Sequence, residues 1–155
     1  MVRTMDTEFY AQRIQCSRSD KQDLLDVVWQ LMELANVRHS FGLLDLDRRL
    51  NAEPLKYSDP FLRKAAALIV DYENEERIRT VLYNYILSGN YSGSLFLKSI
   101  VITETLLAIK KDLSMDYIFI FLVPSLFGMD CESFILNLYD EFKSSRGSTV
   151  HPPLD

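Results

Sequence analysis

Histidine, cysteine and clustered carboxylates are the side chains that most often do chemistry, and this 155-residue chain is sparing with them. His151 sits in the C-terminal tail, and His39 has neither an HExxH setting nor a cysteine beside it, so no zinc site assembles around either. Cys16 and Cys131 each stand alone, without a CxxC partner. Neither a GxSxG elbow nor a GxxxxGK[ST] phosphate loop is present, and the glycine-containing SGNYSGS of residues 88–94 follows a helical pattern instead of a strand. The densest acidic group is DYENEE, residues 71–76. It lacks the alternating ligands, central glycine and twelfth-position glutamate of a calcium loop. Its residues have a structural use: Asn74 can cap a helix, Glu75 and Glu76 complement the helix dipole, and Glu75 pairs with Arg79 at i,i+4. Glu104, next to Thr103, is a carboxylate on an otherwise apolar helix, either buried or at the edge of the buried face. No acid–base or nucleophile set assembles from these groups, so the expectation is a protein without catalysis, cofactor or metal.

What remains is charge around a helical kink. VRHSFGLLDLDRRL, residues 37–50, places Arg38 and His39 before Gly42 and puts Asp45, Asp47, Arg48 and Arg49 after it. Arg63 and Lys64 open the next helix. Mixed charge at a kink suits a docking surface read by electrostatic complementarity; the alternative is an ordinary solvated face.

The elements that must hold these residues are helices. Leu24, Leu25, Val28, Leu31, Met32 and Ala35 recur at three- and four-residue spacing, which predicts one long amphipathic helix over about 20–40, capped by Ser19 or Asp20. Gly42 interrupts it, and Leu43, Leu46 and Leu50 restart the spacing to about Asn51. Asp59 reads as a cap and Pro60 as the first residue of a helix to Tyr72, and Asn74 opens another through Ile86. A further helix starts at Ser92 or Ser94 and runs to Lys111. Residues 115–127 read as a buried helix broken or bent at Pro124, although YIFIFLV also suits a strand, and Asp130 reads as the cap of a last helix. The fold class is all-α: a single compact domain of six or seven helices built from helical hairpins over 19–145. A flexible segment, 1–18, with room for a short helix near Thr7 to Ile14, precedes it, and a disordered tail, 146–155, follows.

A content of 48% apolar residues fits a packed core, and a net charge of −5 argues against nucleic acid or anionic lipid as the main partner. The apolar run between Asp116 and Asp130 is too short for a membrane span, the N-terminus has no signal-peptide pattern, and unpaired cysteines suit the cytosol, so the expectation is a soluble cytoplasmic protein without membrane insertion.

Several of these motifs occur together in a known order. Gly42-Leu43-Leu44-Asp45-Leu46-Asp47 is followed by Asp59-Pro60-Phe61-Leu62-Arg63, then Val70-Asp71, then Ile78-Arg79-Thr80-Val81-Leu82. This series resembles the cytoplasmic loop of the flagellar stator protein MotA family. The stretch from Leu95 to Phe127, with LLAI and an apolar end at Pro124, is similar to that family's cytoplasmic C-terminal region. The two matches span about 23–127. The family's membrane-spanning helices have no counterpart: ILSGNYSGS stands where the second pair would lie, and Tyr72 replaces the usual glycine after Val-Asp. Ion conduction is therefore not expected.

The resemblance implies a protein–protein interaction module of the bacterial flagellar motor, an accessory, adaptor or regulator at the cytoplasmic face of the inner membrane. Its partner would be the rotor switch protein or the stator, met through charge pairs. Carried over by position, the acidic partner falls on Asp47 and the basic one on His39, with Arg38 adjacent. A homodimer is a further option. The alternative reading is a small-ligand-binding or regulatory helical domain whose pocket is lined by Tyr117, Phe119, Phe121, Phe127, Phe134 and Tyr139.

Overall fold

The computed structural model describes residues 7–147; His151, most of the expected tail and the first six residues lie outside that range. In chain order the helices are α1 Thr7–Arg13, α2 Arg18–Asp23, α3 Leu25–Phe41, α4 Leu44–Ala52, α5 Pro60–Asp71, α6 Glu75–Ser88 and α7 Gly93–Lys110. A π-helical turn, Tyr117–Leu122, then winds directly into α8 Val123–Phe127, and a 3-10 turn, Met129–Cys131, leads to α9 Glu132–Gly147. Among the described residues there is no strand.

α7 is apolar on every side, and a helix of that kind must be surrounded. Phe96, Leu97, Ile100, Ile102, Leu106 and Ile109 are all buried along it. α3 and α5 flank it, α6 closes a further side, α4 bridges α3 and α5, α9 stacks beside α3, and α8 packs between α7 and α9. The short segment before the domain also takes part. α1 lays Phe9 and Tyr10 against Phe96, with ring centroids 6.3 and 5.3 Å away.

Local chemistry sets the helix starts on the α5–α6 hairpin. The Asp59 carboxylate accepts the Leu62 N–H at 3.0 Å, Pro60 fills the first turn, and the Asn74 amide oxygen accepts the Arg77 N–H at 3.0 Å. The second Asp59 oxygen takes Lys98 Nζ at 2.6 Å, which ties the start of α5 to α7.

Four details depart from the sequence reading. The first long helix is broken at Leu24, where the N–H reaches back only three residues to Lys21 O at 3.1 Å. The cap is Ser17, whose hydroxyl accepts the Asp20 N–H, and neither Ser19 nor Asp20 fills that role. α2 has no buried residue, so hydrophobic spacing does not register it; the break turns it towards the α8–α9 corner instead. The apolar run at 117–127 is helical and is not interrupted at Pro124. The proline has no N–H to give and its ring would crowd the carbonyl of Ile120, and the wider winding ahead of it relieves both. Asp130 does not cap α9 from outside; it lies within the 3-10 turn, which follows the 118° bend of the chain between Phe127 and Met129.

Gly42 makes the α3–α4 corner with φ 95° and ψ 170°, a region open to glycine and costly for any residue with a Cβ. No atom lies within 4 Å of where that Cβ would sit, so the penalty is torsional alone. Gly42→Ala is expected to lower stability by about 1–3 kcal/mol, read as a shifted urea midpoint with an unchanged m-value.

Candidate interaction surface

The residues flanking Gly42 divide into those that build the corner and those it presents. Arg38 belongs to the first group. Its Nε donates to Ile109 O at 3.2 Å and its Nη2 to Lys110 O at 3.0 Å, so its charge satisfies the last carbonyls of α7 and favours that helix's negative end. Arg63 does the same for α4: Nη1 donates to Leu50 O at 3.2 Å and to Tyr57 O at 2.6 Å, and Nη2 to Asn51 Oδ1 at 3.4 Å. Arg49 is largely covered and pairs with Glu53 at 3.2 Å.

The presented group is smaller. His39 is 72% exposed, with Nδ1 3.5 Å from the Asp112 carboxylate. Arg48 is 80% exposed and meets Asp45 at 3.0 Å one turn away. Asp47 is exposed and accepts a hydrogen bond from Asn51 at 3.3 Å. Leu44, 70% exposed, shares this face, and Phe41, 43% exposed, ends α3 beside the corner. The charge pattern does not reveal these apolar residues. The signal for Leu44 was nevertheless present: Leu46 and Leu50 are buried and Leu43 is partly so, and that register leaves Leu44 facing out.

A second cluster joins α6 to α7. The Glu104 carboxylate receives Arg79 on both oxygens, at 3.1 and 2.8 Å, and the Tyr83 hydroxyl at 2.6 Å. Arg79 also meets Glu75 at 3.2 Å, and Glu75 in turn holds Lys111 at 2.6 Å. The cluster floors a cleft of about 130 Å³ that Leu113, Tyr117 and Leu122 wall. The hydrogen bonds that Arg79 donates to Glu104 raise its pKa against the effect of burial. For Glu75, burial favours the neutral acid, but the hydrogen bond and charge of Lys111 and the charge of Arg79 outweigh it, and the carboxyl is held below its usual range. Each charged group in the cluster faces one of opposite sign, which makes it a clamp between helices. The acidic corner at 71–76 contributes Glu75 to this clamp, and among the described residues no group of His, Cys, Asp or Glu is placed to hold a metal ion.

Four tyrosines carry raised pKa values. Burial is the leading cause in each, assisted by a carboxylate: Glu104 for Tyr10 and Tyr83, Glu33 for Tyr57, and Asp116 for Tyr139. A phenol whose pKa is raised by folding adds stability that is complete below its unfolded value near 10 and declines as the pH climbs above it. The chain is therefore expected to melt markedly lower at pH 11 than at pH 9, with tyrosinate absorbance rising together with unfolding. A gradual rise well before unfolding would show the phenols to be open to solvent.

The aromatic residues of the C-terminal half do not line a common pocket. Phe119, Phe127 and Tyr139 are core, with Phe119 and Tyr139 rings 5.7 Å apart, whereas Tyr117 and Phe121 are exposed. Among the described residues no single helix is long and apolar enough to cross a membrane. No protein-family model, curated protein or solved structure matches this chain.

Proposed function

We propose that the chain is a non-enzymatic docking module whose contact surface is the outward face of α4 and the adjoining end of α3. The observation that carries this reading is an exposed leucine, Leu44, set among Asp47, Arg48 and His39 on one rigid corner. An apolar centre with a charged rim is the usual anatomy of a specific interface. The corner is organised before any partner arrives. Arg38 fixes the end of α3 to α7, Arg63 fixes the end of α4 to the base of α5, and Gly42 sets the angle between them. A partner therefore meets a surface that needs little ordering.

The motif order from Gly42 to Leu82, which resembles the MotA cytoplasmic loop, supports a flagellar partner: the rotor switch protein or the stator itself, at the cytoplasmic face of the inner membrane. The carried-over positions Asp47 and His39 both lie on the exposed face, while Arg38 is committed to α7. The test is affinity capture from native lysate at low and physiological salt with the wild-type chain and with Asp47→Lys. Recovery of a motor component by the wild type, weakened by salt and by the substitution, supports the reading; equal recovery by both would place the contact elsewhere.

A further inference from the structure

The two cysteines lie far apart in sequence, and the fold brings the segments that carry them together. Cys16 stands in the turn between α1 and α2, just before the cap Ser17. Cys131 closes the 3-10 turn before α9 and is buried. Three contacts fasten the first segment to the second. Lys21 Nζ donates to Phe127 O at 2.7 Å, and Arg18 Nη1 donates at 3.1 Å to Asp130 O, the carbonyl immediately before Cys131. The Arg18 guanidinium also sits 4.6 Å above the Phe134 ring centre. Cys16 is partly buried and packs on the same apolar cluster that contains Cys131. Burial chiefly raises the Cys16 pKa, Lys21 opposes it, and Asp20 and Cys131 add to it.

Both thiols are free, and the docking surface uses neither. We propose that Cys16 and Cys131 are a modification site that a small-molecule disulfide oxidises to an intramolecular disulfide, locking the N-terminal helix pair onto the α8–α9 corner. Cys16 is the more accessible thiol and reacts first. Its thiolate attacks one sulfur of the oxidant, forms a mixed disulfide and expels one thiolate. The Cys131 thiolate then attacks the Cys16 sulfur and expels the second. Two protein thiols become one disulfide, the oxidant is reduced to two thiols, and the protons pass through solvent to the departing thiolates.

The bond would matter because of how the N-terminal segment is held. Neither α1 nor α2 contains a fully buried residue. Phe9 and Tyr10 on Phe96, Arg13 on Tyr91 O, and the Arg18 and Lys21 contacts secure them. A segment secured in this way opens locally more readily than the core. The disulfide suppresses that opening and closes a loop spanning most of the chain, which constrains the unfolded state strongly.

The experiment treats the purified full chain, at low concentration, with oxidised glutathione, quenches with iodoacetamide and maps peptides without reduction. The expected products are an intact mass lighter by two hydrogens and a linked peptide joining Cys16 to Cys131. The melting temperature is expected to rise by about 10 °C and to return on reduction. Cys16→Ser should abolish the link and the shift while leaving the reduced melting temperature in place. Cys131→Ala should stop the reaction at the Cys16 mixed disulfide. The proposal is overturned if wild type retains glutathione on Cys16 without a linked peptide, if it gives only intermolecular Cys16 dimers, or if both thiols stay fully alkylatable.

Discussion

Glu104→Ala is expected to destabilise the chain by about 3 kcal/mol, because it strands donors on two side chains that the carboxylate now satisfies. Arg79 and Tyr83 converge on Glu104 from α6, across the face where α6 meets α7. Without the carboxylate, the largely covered guanidinium keeps only Glu75, and the Tyr83 hydroxyl loses its acceptor. For a chain of this size the loss corresponds to a fall of roughly 6–12 °C in melting temperature. The paired substitution Glu104→Leu with Arg79→Met should recover much of that loss, because removing both charges leaves no stranded ion. A thermal melt of the three proteins decides the matter. If Glu104→Ala melts within about 2 °C of wild type, water satisfies the donors as well as Glu104 does, and the clamp has no structural weight.

The second large effect concerns binding. Asp47→Lys combined with Arg48→Glu reverses the charge order on α4 while keeping the net charge, and partner affinity is expected to fall by roughly 30-fold, equivalent to about 2 kcal/mol. Stability should move by no more than about 0.5 kcal/mol, because both side chains are exposed and the Asp45–Arg48 pair they disturb is a surface ion pair. Leu44→Asp tests the apolar centre of the same face and should weaken binding at both salt concentrations, whereas the charge reversal should act most at low salt. Binding titrations with melting curves on the same preparations separate loss of docking from loss of fold. Unchanged affinity in both variants would remove α4 from the interface.

Features encoded over a few residues were readable before the structure. Asp59-Pro60 and Asn74 act through hydrogen bonds three residues away, and Gly42 acts through its own torsion angle, so each end of the α5–α6 hairpin and the α3–α4 corner carries a local signature. The all-helical class followed from apolar spacing along α3, α5 and α7. The break at Leu24 left no such mark, because apolar residues continue across it in helical register while α2 itself buries nothing. Arg38 and Arg63 read as docking cations because their partners are backbone carbonyls, which a sequence displays identically everywhere. The sequence pairs Arg79 with Glu75 alone; its stronger partner, Glu104, lies on the next helix and becomes visible only when α6 packs on α7. A single carboxylate on an apolar helix was the available clue, since such a group needs a donor wherever it is covered.

The most direct test is a binding titration of the purified chain with the purified flagellar rotor switch protein, at low and at physiological ionic strength. The account predicts saturable binding that weakens as salt rises and weakens again on charge reversal at Asp47 and Arg48. Absence of binding at both ionic strengths, or binding indifferent to the reversal, would contradict a charge-guided contact with that rotor protein through the α3–α4 corner.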